Sequence, residues 1–437
     1  MLDINYIKEH QDEVKKAIKY KKVKLDFTVE ELLENYEQKR NLKIALEELR
    51  AQRNKLTDQI KIDLVNKDGL IIKATELKKQ LQEKESKFDE VDELLSKQLL
   101  ALPNVVDPNM PMGKDDTENV VIRKWGQPKI FDFEVKDHVD IGNNLDILDI
   151  DRAGKVTGAR FVYLKNEAVL LQFALINFVF STLTNKEIIS KIAKQVGSNF
   201  DKVFTPNLPP VFIKADVMKK MDRFDPVDDR FYFEKDDLVL VGSAEHTMGA
   251  YYMDEIIDEK NLPVRFIGYS TAFRREAGSY GKDTRGILRV HQFDKLEMES
   301  FSTVEAGASE QDLLVGIQEY LTQQLELPYQ VVDVCIGDTG RPDYRQIDIE
   351  TWIPSQNKYR ETHSSDYMTD FQSRRLNTRY KTADEKSRFV YMNDATAFAI
   401  GRTIIAILEN YQQADGSVVV PLVLQKYTGF NKIEPQK

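Results

Sequence analysis

The sequence predicts an α+β protein: an N-terminal antiparallel α-helical coiled-coil hairpin, then a domain with a central antiparallel sheet flanked by helices. Three observations carry this. Leu42, Leu46, Leu49, Leu56 and Ile60 fall at spacings of four, three, seven and four, with Arg53 on the one seam position that would otherwise be apolar. That is the repeat of a coiled coil. A second seam, Ala74, Leu77, Leu81, Phe88, Val91, Leu95 and Leu102, follows the turn signal Asn66-Lys67-Asp68-Gly69, so the helices pair antiparallel. Further on, Gln346, Asp348 and Glu350 alternate with Ile347, Ile349 and Thr351. Such alternation suits an antiparallel strand with one face toward solvent or substrate.

Composition narrows the class. A chain of 437 residues is long enough for two or three domains, and 41% apolar with 31% charged residues suits a globular protein with a proper core. One cysteine, Cys335, excludes a disulfide framework and a cysteine-rich zinc site, so no zinc is expected. It also fits a reducing, cytoplasmic setting. Charges in Met1-Leu2-Asp3-Ile4-Asn5 interrupt any leader-like apolar run, and the longest apolar stretch, Ala168 to Leu183, is broken by Gln172 and Asn177, so no membrane span is expected. With a net charge of −10, nucleic-acid contact must come from local basic patches.

Residues 1 to 28 are short, mixed and lysine-rich; the helical pattern begins at Val29. Each hairpin helix would be roughly 45–55 Å long, too long to tuck into a globular core, and so is expected to project. From Gln38 to Lys61 the positives Lys39, Arg40, Lys43, Arg50, Arg53, Lys55 and Lys61 outnumber Glu47, Glu48 and Asp58, whereas from Leu70 to Leu102 six lysines face seven acids. The first helix therefore offers a positive face suited to phosphates, with an ordinary solvated coiled coil as the alternative. Leu102-Pro103 to Met110-Pro111 is a proline-punctuated linker. Gly158 to Leu164 reads as a strand opening the second domain's core, and Ala168 to Leu183 as a buried helix. A helix this apolar suits either a subunit interface or burial under a sheet. No Gly-x-Gly-x-x-Gly or Gly-x-x-x-x-Gly-Lys-Ser/Thr joins a strand to a helix, which argues against a Rossmann or P-loop site.

Phe266-Ile267-Gly268-Tyr269 reads as a strand, Phe273 to Arg285 as a glycine-rich, arginine-dense loop able to follow an anion, and Ile287, Leu288, Val290 and Phe293 as a second strand. A charged surface hairpin would look similar. The wording Phe273-Arg274-Arg275-Glu276-Ala277-Gly278-Ser279-Tyr280-Gly281-Lys282-Asp283-Thr284-Arg285-Gly286, followed by Arg289-Val290-His291-Gln292-Phe293-Asp294-Lys295, resembles motif 2 of class II aminoacyl-tRNA synthetases in its seryl-tRNA synthetase form. The likeness extends over nearly the whole chain. Thr205-Pro206-Asn207-Leu208-Pro209-Pro210 and the helix before it stand where motif 1 does, and Asn393 to Thr403 resembles motif 3.

The resemblance implies an ATP-dependent ligase that activates L-serine as seryl-adenylate and transfers it to the 3′ end of tRNA(Ser), with tRNA(Sec) a further candidate. It implies a homodimer, an N-terminal tRNA-binding domain over 1–110 with its arm at 29–102, and a class II catalytic domain over 111–437. Arg274, Glu361 and Arg402 are then the catalytic residues. L-serine is met by Ser243, Glu245, Arg274, Glu297 and Thr396, with Glu245 on the ammonium and Glu297 and Thr396 on the hydroxyl. ATP is met by Arg274, Glu276, Phe293, Glu361, Thr362, His363, Ser364 and Arg402, with Phe293 stacked on adenine and Arg402 on the γ-phosphate. Glu361 and Ser364 would hold Mg²⁺, and Arg40, Lys43, Arg50 and Arg53 the tRNA. Four stretches depart from the family's wording: Ser243 for threonine, His246-Thr247-Met248-Gly249, Ser364-Ser365-Asp366-Tyr367, and Asp394 for asparagine or glycine.

Overall fold

A computed structural model describes residues 1–62, 65–277 and 285–435. The chain separates into two compact units, Met1–Val105 and Val106–Lys437.

The first unit is helical. Its opening residues form two short helices, Ile4–Glu9 and Gln11–Tyr20, in the stretch whose mixed, lysine-rich sequence shows no clear helical repeat. Asp3 caps the first by accepting from the Asn5 and Tyr6 amides, and Ile7, Val14 and Ala17 supply a buried face. Two long helices follow, α1 (Val29–Ile62) and α2 (Lys67–Ala101), packed on each other. Thr28 and Glu31 form a capping box ahead of α1: the Glu31 amide donates to Thr28 Oγ1, and the Thr28 amide to Glu31 Oε2. Leu42 and Leu46 on α1 and Leu81, Val91 and Leu95 on α2 are buried. Leu49, Leu56 and Ile60 are only half-buried, since two helices alone cannot enclose a seam. Lys67-Asp68-Gly69, expected in the turn, instead forms the first turn of α2; part of the connection, residues 63–64, lies outside the described residues.

The second unit is built on eight strands: β1 (Val120–Trp125), β2 (Thr205–Asn207), β3 (Val264–Phe273), β4 (Gln292–Ser302), β5 (Tyr329–Asp333), β6 (Arg345–Ile353), β7 (Lys358–Thr369) and β8 (Tyr391–Ala399). They lie in the order β1-β5-β6-β7-β8-β4-β3-β2. All pairings are antiparallel except β2 with β3. Three helices, α3 (Asn166–Leu183), α4 (Gly307–Gln324) and α5 (Ile400–Asn410), contribute to one continuous apolar core with the sheet. Leu175, Val179, Leu314, Ile317, Ile404 and Leu408 are buried there, against Leu296 and Met298 of β4. Period-two alternation on β4 then sends Lys295, Glu297 and Glu299 to the opposite face.

Two sequence expectations change. Gly158–Leu164 yields only a two-residue strand, Tyr163–Leu164, paired with Leu148–Asp149. Ile287, Leu288 and Val290 are buried but precede the second strand, which begins at Gln292. The cause is local: Gly286 takes a φ of +83°, and the Ile287 amide donates to His138 Nε2 at 3.2 Å instead of to a neighbouring strand. A Cβ at Gly286 would lie 1.9 Å from that nitrogen, so only glycine fits.

Helix α3 is the one described helix long and apolar enough to cross a membrane by length and composition, and half of it is buried within the unit. Phe178 lies in the core against Phe398, with ring centroids 6.4 Å apart. Leu170 and Phe173, on the other side, are about half exposed at 49% and 52%.

Candidate active site

A cavity of about 240 Å³ opens on the polar face of the sheet. It collects groups from distant stretches: Arg274 and Glu276 after β3, Phe293 and Lys295 on β4, Glu361 and Thr362 on β7, and Arg402 in the first turn of α5. Of the residues expected from sequence, Glu245, Arg274, Glu276, Phe293, Glu361, Thr362, Ser364, Thr396 and Arg402 all line it. Residues 278–284 of the glycine-rich loop lie outside the described residues.

At one end stand the cations. The Arg274 guanidinium sits 5.5 Å over the Phe293 ring, and its Nε donates to Gly242 O at 3.2 Å. Arg402 Nη1 donates to the Glu361 carbonyl at 2.9 Å and pairs with its carboxylate at 3.1 Å. An arginine in the first turn of a helix faces the positive end of the helix dipole, an arrangement that suits an incoming anion. Partial desolvation in the cleft favours protonation of Glu361, although about half its side chain is exposed (51%), but Arg402, Arg274 and Lys295 outweigh it and hold the carboxyl below its usual range. Glu276 adopts a φ of +54° and pairs with Arg289 at 3.1 Å. Ser364 Oγ donates to Asp366 Oδ1 at 3.1 Å and accepts from Gln346 Nε2 at 3.1 Å.

At the other end lies a buried polar cluster. Ser243 Oγ donates to Glu297 Oε2 at 3.0 Å and accepts from Lys295 Nζ at 3.1 Å; Lys295 also pairs with Glu297 at 2.5 Å. Ser243 and Glu297 are buried below the cavity surface. Burial raises Glu297 to about 7, with Glu245 adding to that effect and Lys295 opposing it. Carboxylate oxygens of Glu245, Glu297 and Asp394 converge within 4.8 Å of one another. Their charge is met by Lys295 and by Arg223, a residue not singled out from sequence. Burial lowers Arg223, but Asp343, Glu245, Asp394 and Asp366 more than compensate and hold its guanidinium well above the ordinary value. Burial raises Asp394 and Asp366.

His363, expected at the ATP site, is not among the cavity's lining residues. It is buried beside Phe398, with ring centroids 5.7 Å apart, and its Nδ1 shares a 2.8 Å hydrogen bond with Thr362 Oγ1. A bulge explains this: Ile349 pairs with His363 but Glu350 pairs with Glu361, so Thr362 is the extra residue and the alternation of β7 breaks there.

Two family models match the chain: the seryl-tRNA synthetase N-terminal domain over residues 1–106, and the class II core domain of the G, H, P, S and T tRNA synthetases over residues 229–411. The serine–tRNA ligase of Dictyoglomus turgidum is 39% identical over 439 residues, covering 100% of both chains. The chain belongs to the seryl-tRNA synthetase family. Among solved structures, the Pyrococcus horikoshii seryl-tRNA synthetase complexed with ATP superposes with a TM-score of 0.89 at 36% identity, covering 100% of both chains. The Naegleria fowleri cytoplasmic serine–tRNA ligase in complex with AMP gives 0.85 at 26% identity, covering 100% of this chain and 99% of the other. The sheet is antiparallel-rich and flanked by helices, and a long helix pair lies in the stretch matched by the N-terminal domain. What the motifs did not point to in this synthetase fold is the pairing of Arg223 and Lys295 with the acidic cluster. Lys295 stands inside the motif 2 wording, whereas Arg223 has no local signal: its partners come from four separate segments.

Proposed function

We propose that this cavity is where the chain carries out its family's reaction, the ATP-dependent joining of L-serine to tRNA. A serine carboxylate oxygen attacks the α-phosphorus of ATP, the bond to the bridging oxygen breaks, and pyrophosphate leaves. A terminal ribose hydroxyl of tRNA then attacks the carbonyl of seryl-adenylate, and AMP leaves. The first step brings two anions together, so it needs fixed cations more than it needs a base. The observation that carries this reading is the pairing of Arg274 and Arg402 in one cavity with a buried polar pocket at its other end.

Arg274 bridges the serine carboxylate and the α-phosphate, and Phe293 stacks on adenine beside it. Glu276 belongs to the ATP site, and Arg402 holds the γ-phosphate. Glu245 receives the ammonium group, Glu297 and Thr396 the hydroxyl, and Ser243 fixes Glu297. Thr362 and Ser364 complete the ATP end, and His363 supports that end through Thr362 from behind the sheet. Glu361 and Ser364 offer oxygen donors of the kind Mg²⁺ takes, and a cation-stabilised carboxylate suits it. When bound there, Mg²⁺ would neutralise phosphate charge.

Residues 1–110 serve as the tRNA-binding domain, with Arg40, Lys43, Arg50 and Arg53 contacting phosphates of tRNA(Ser), and of tRNA(Sec) where it is charged. Residues 111–437 serve as the catalytic domain. Two copies pair through the exposed side of α3, and the protein acts in the cytoplasm. The test is charging of a tRNA(Ser) transcript with labelled serine, ATP and Mg²⁺. Label should appear at the 3′ end and be lost when the terminal adenosine is removed. Failure to charge, with adenylate formation intact, would overturn the transfer half of this reading.

A further inference from the structure

Arg223 lies on the stretch after the helix Ala215–Lys220, where the amino-acid end of the cavity is closed. Its side chain is 16% exposed. Nε lies 3.3 Å from Glu245 Oε1, while Nη2 lies 3.6 Å from Asp343 Oδ1, 3.8 Å from Asp366 Oδ2 and 3.6 Å from Asp394 Oδ2. These are ion pairs and not hydrogen bonds, since Nε has no hydrogen-bond partner among the described residues, so the guanidinium acts by charge at two ends, one facing Glu245 and the other three aspartates. These carboxylates come from a helical turn, a loop, β7 and β8. Asp394 Oδ2 is buried, accepts no hydrogen bond, and has Arg223 as its ion-pair partner among the described residues. Pairing through Oε1 leaves the other oxygen of Glu245, 3.9 Å from Lys295, for a ligand.

We propose that Arg223 is a positioning residue for the amino-acid end of the cavity: it holds Glu245 ready for the ammonium group of serine while offsetting the aspartates behind it. This rests on the reading of Glu245 as the ammonium's partner. A lysine has one point charge and cannot reach both ends, so it does not replace the spread charge of the guanidinium. Without Arg223, Glu245 faces like charges and swings out of place, and serine binding weakens. Among the described residues no hydrogen bond or ion pair joins it to Arg274, Phe293 or Arg402, so ATP binding is spared.

The test is ATP–pyrophosphate exchange in the full-length protein, with KM measured separately for serine and ATP. Arg223→Gln and Arg223→Lys should each raise the serine KM by about tenfold or more, equivalent to about 1.4 kcal/mol, and leave the ATP KM within about threefold. Adding Asp394→Asn to Arg223→Gln removes one of the uncompensated charges. It should recover much of any lost thermal stability and leave the serine KM high. Recovery of the parental serine KM in that double variant would reduce Arg223 to a structural counter-charge and overturn the proposal. A parallel rise in the ATP KM would overturn it too. If Arg223→Gln does not fold, Arg223→Lys and the double variant give the same reading. Absence of serine-dependent exchange in the parent would instead overturn the assignment of the site itself.

Discussion

Arg274 carries the largest single share of the proposed chemistry, because the charge it meets grows toward the transition state. Arg274→Ala should lower the exchange rate by roughly 10²–10³ while leaving the unfolding temperature near the parent's, since the one hydrogen bond its side chain makes among the described residues is to the Gly242 carbonyl, and its backbone bonds with His291 remain. Near-normal exchange in that variant would contradict its role. A second residue-scale prediction concerns His246. Burial holds it down to about 3, and its Nδ1 accepts from the Gly242 amide at 3.1 Å. The sign follows from proton counting. Between about pH 6.5 and 3 the unfolded chain takes up a proton that native His246 refuses. Stability from this group is therefore complete above that window and is lost as pH falls through it, by up to about 1.4 kcal/mol per pH unit. Glu297, raised to about 7, acts in the opposite sense between about pH 4.5 and 7, so the quantity to measure is a difference. His246→Asn keeps an acceptor for the Gly242 amide. Its unfolding free energy should fall less steeply than the parent's between pH 6 and 4, by about one proton; equal slopes would show that His246 does not titrate this way.

At the scale of elements, the helical hairpin was legible because a seven-residue seam leaves its signature in sequence. Its exposed charges were less so. Arg40 pairs with Glu37 at 3.0 Å within α1, and Arg50 reaches across to Glu85 of α2 at 2.9 Å. Arg50 thus ties the two helices together as well as presenting charge, a role only pairing across the hairpin reveals. Arg40→Glu with Lys43→Glu leaves that tie and the Leu42 and Leu46 seam alone. This pair should raise the KM for tRNA and flatten its salt dependence, with a loss of roughly 0.7–0.9 in slope per phosphate contact, and leave exchange without tRNA unchanged. Equal loss of both activities would mean that the basic face supports the fold. In the second unit, strand alternation on β6 could be read directly, and it puts Asp348 and Glu350 on the polar face; β4 could not, because the apolar residues before it, Ile287, Leu288 and Val290, read as strand in its place. The sidedness of β7 could not be read, because the bulge at Thr362 reverses the parity that separates Glu361 from His363. Nor could Arg223, whose partners converge only when β7, β8 and the 245–248 turn come together.

At the scale of the whole molecule, α3 separates burial from exposure along one helix. Phe178 is core, so a charge there would unfold the chain, whereas Leu170 and Phe173 are free to meet a second copy. Phe173→Asp should shift light scattering from dimer to monomer with little loss of thermal stability in the isolated chain, since burying an unpaired carboxylate at an interface costs several kcal/mol. A parent that is monomeric and fully active would remove the dimer from this account. The central claim is that the cavity selects serine and activates it with ATP. It is tested most directly by ATP–pyrophosphate exchange with each of the twenty amino acids in turn. A pocket built to hydrogen-bond a hydroxyl should favour serine over alanine by about 10⁴ in kcat/KM, with threonine and cysteine also far below serine. Another amino acid equal to serine in kcat/KM would contradict it.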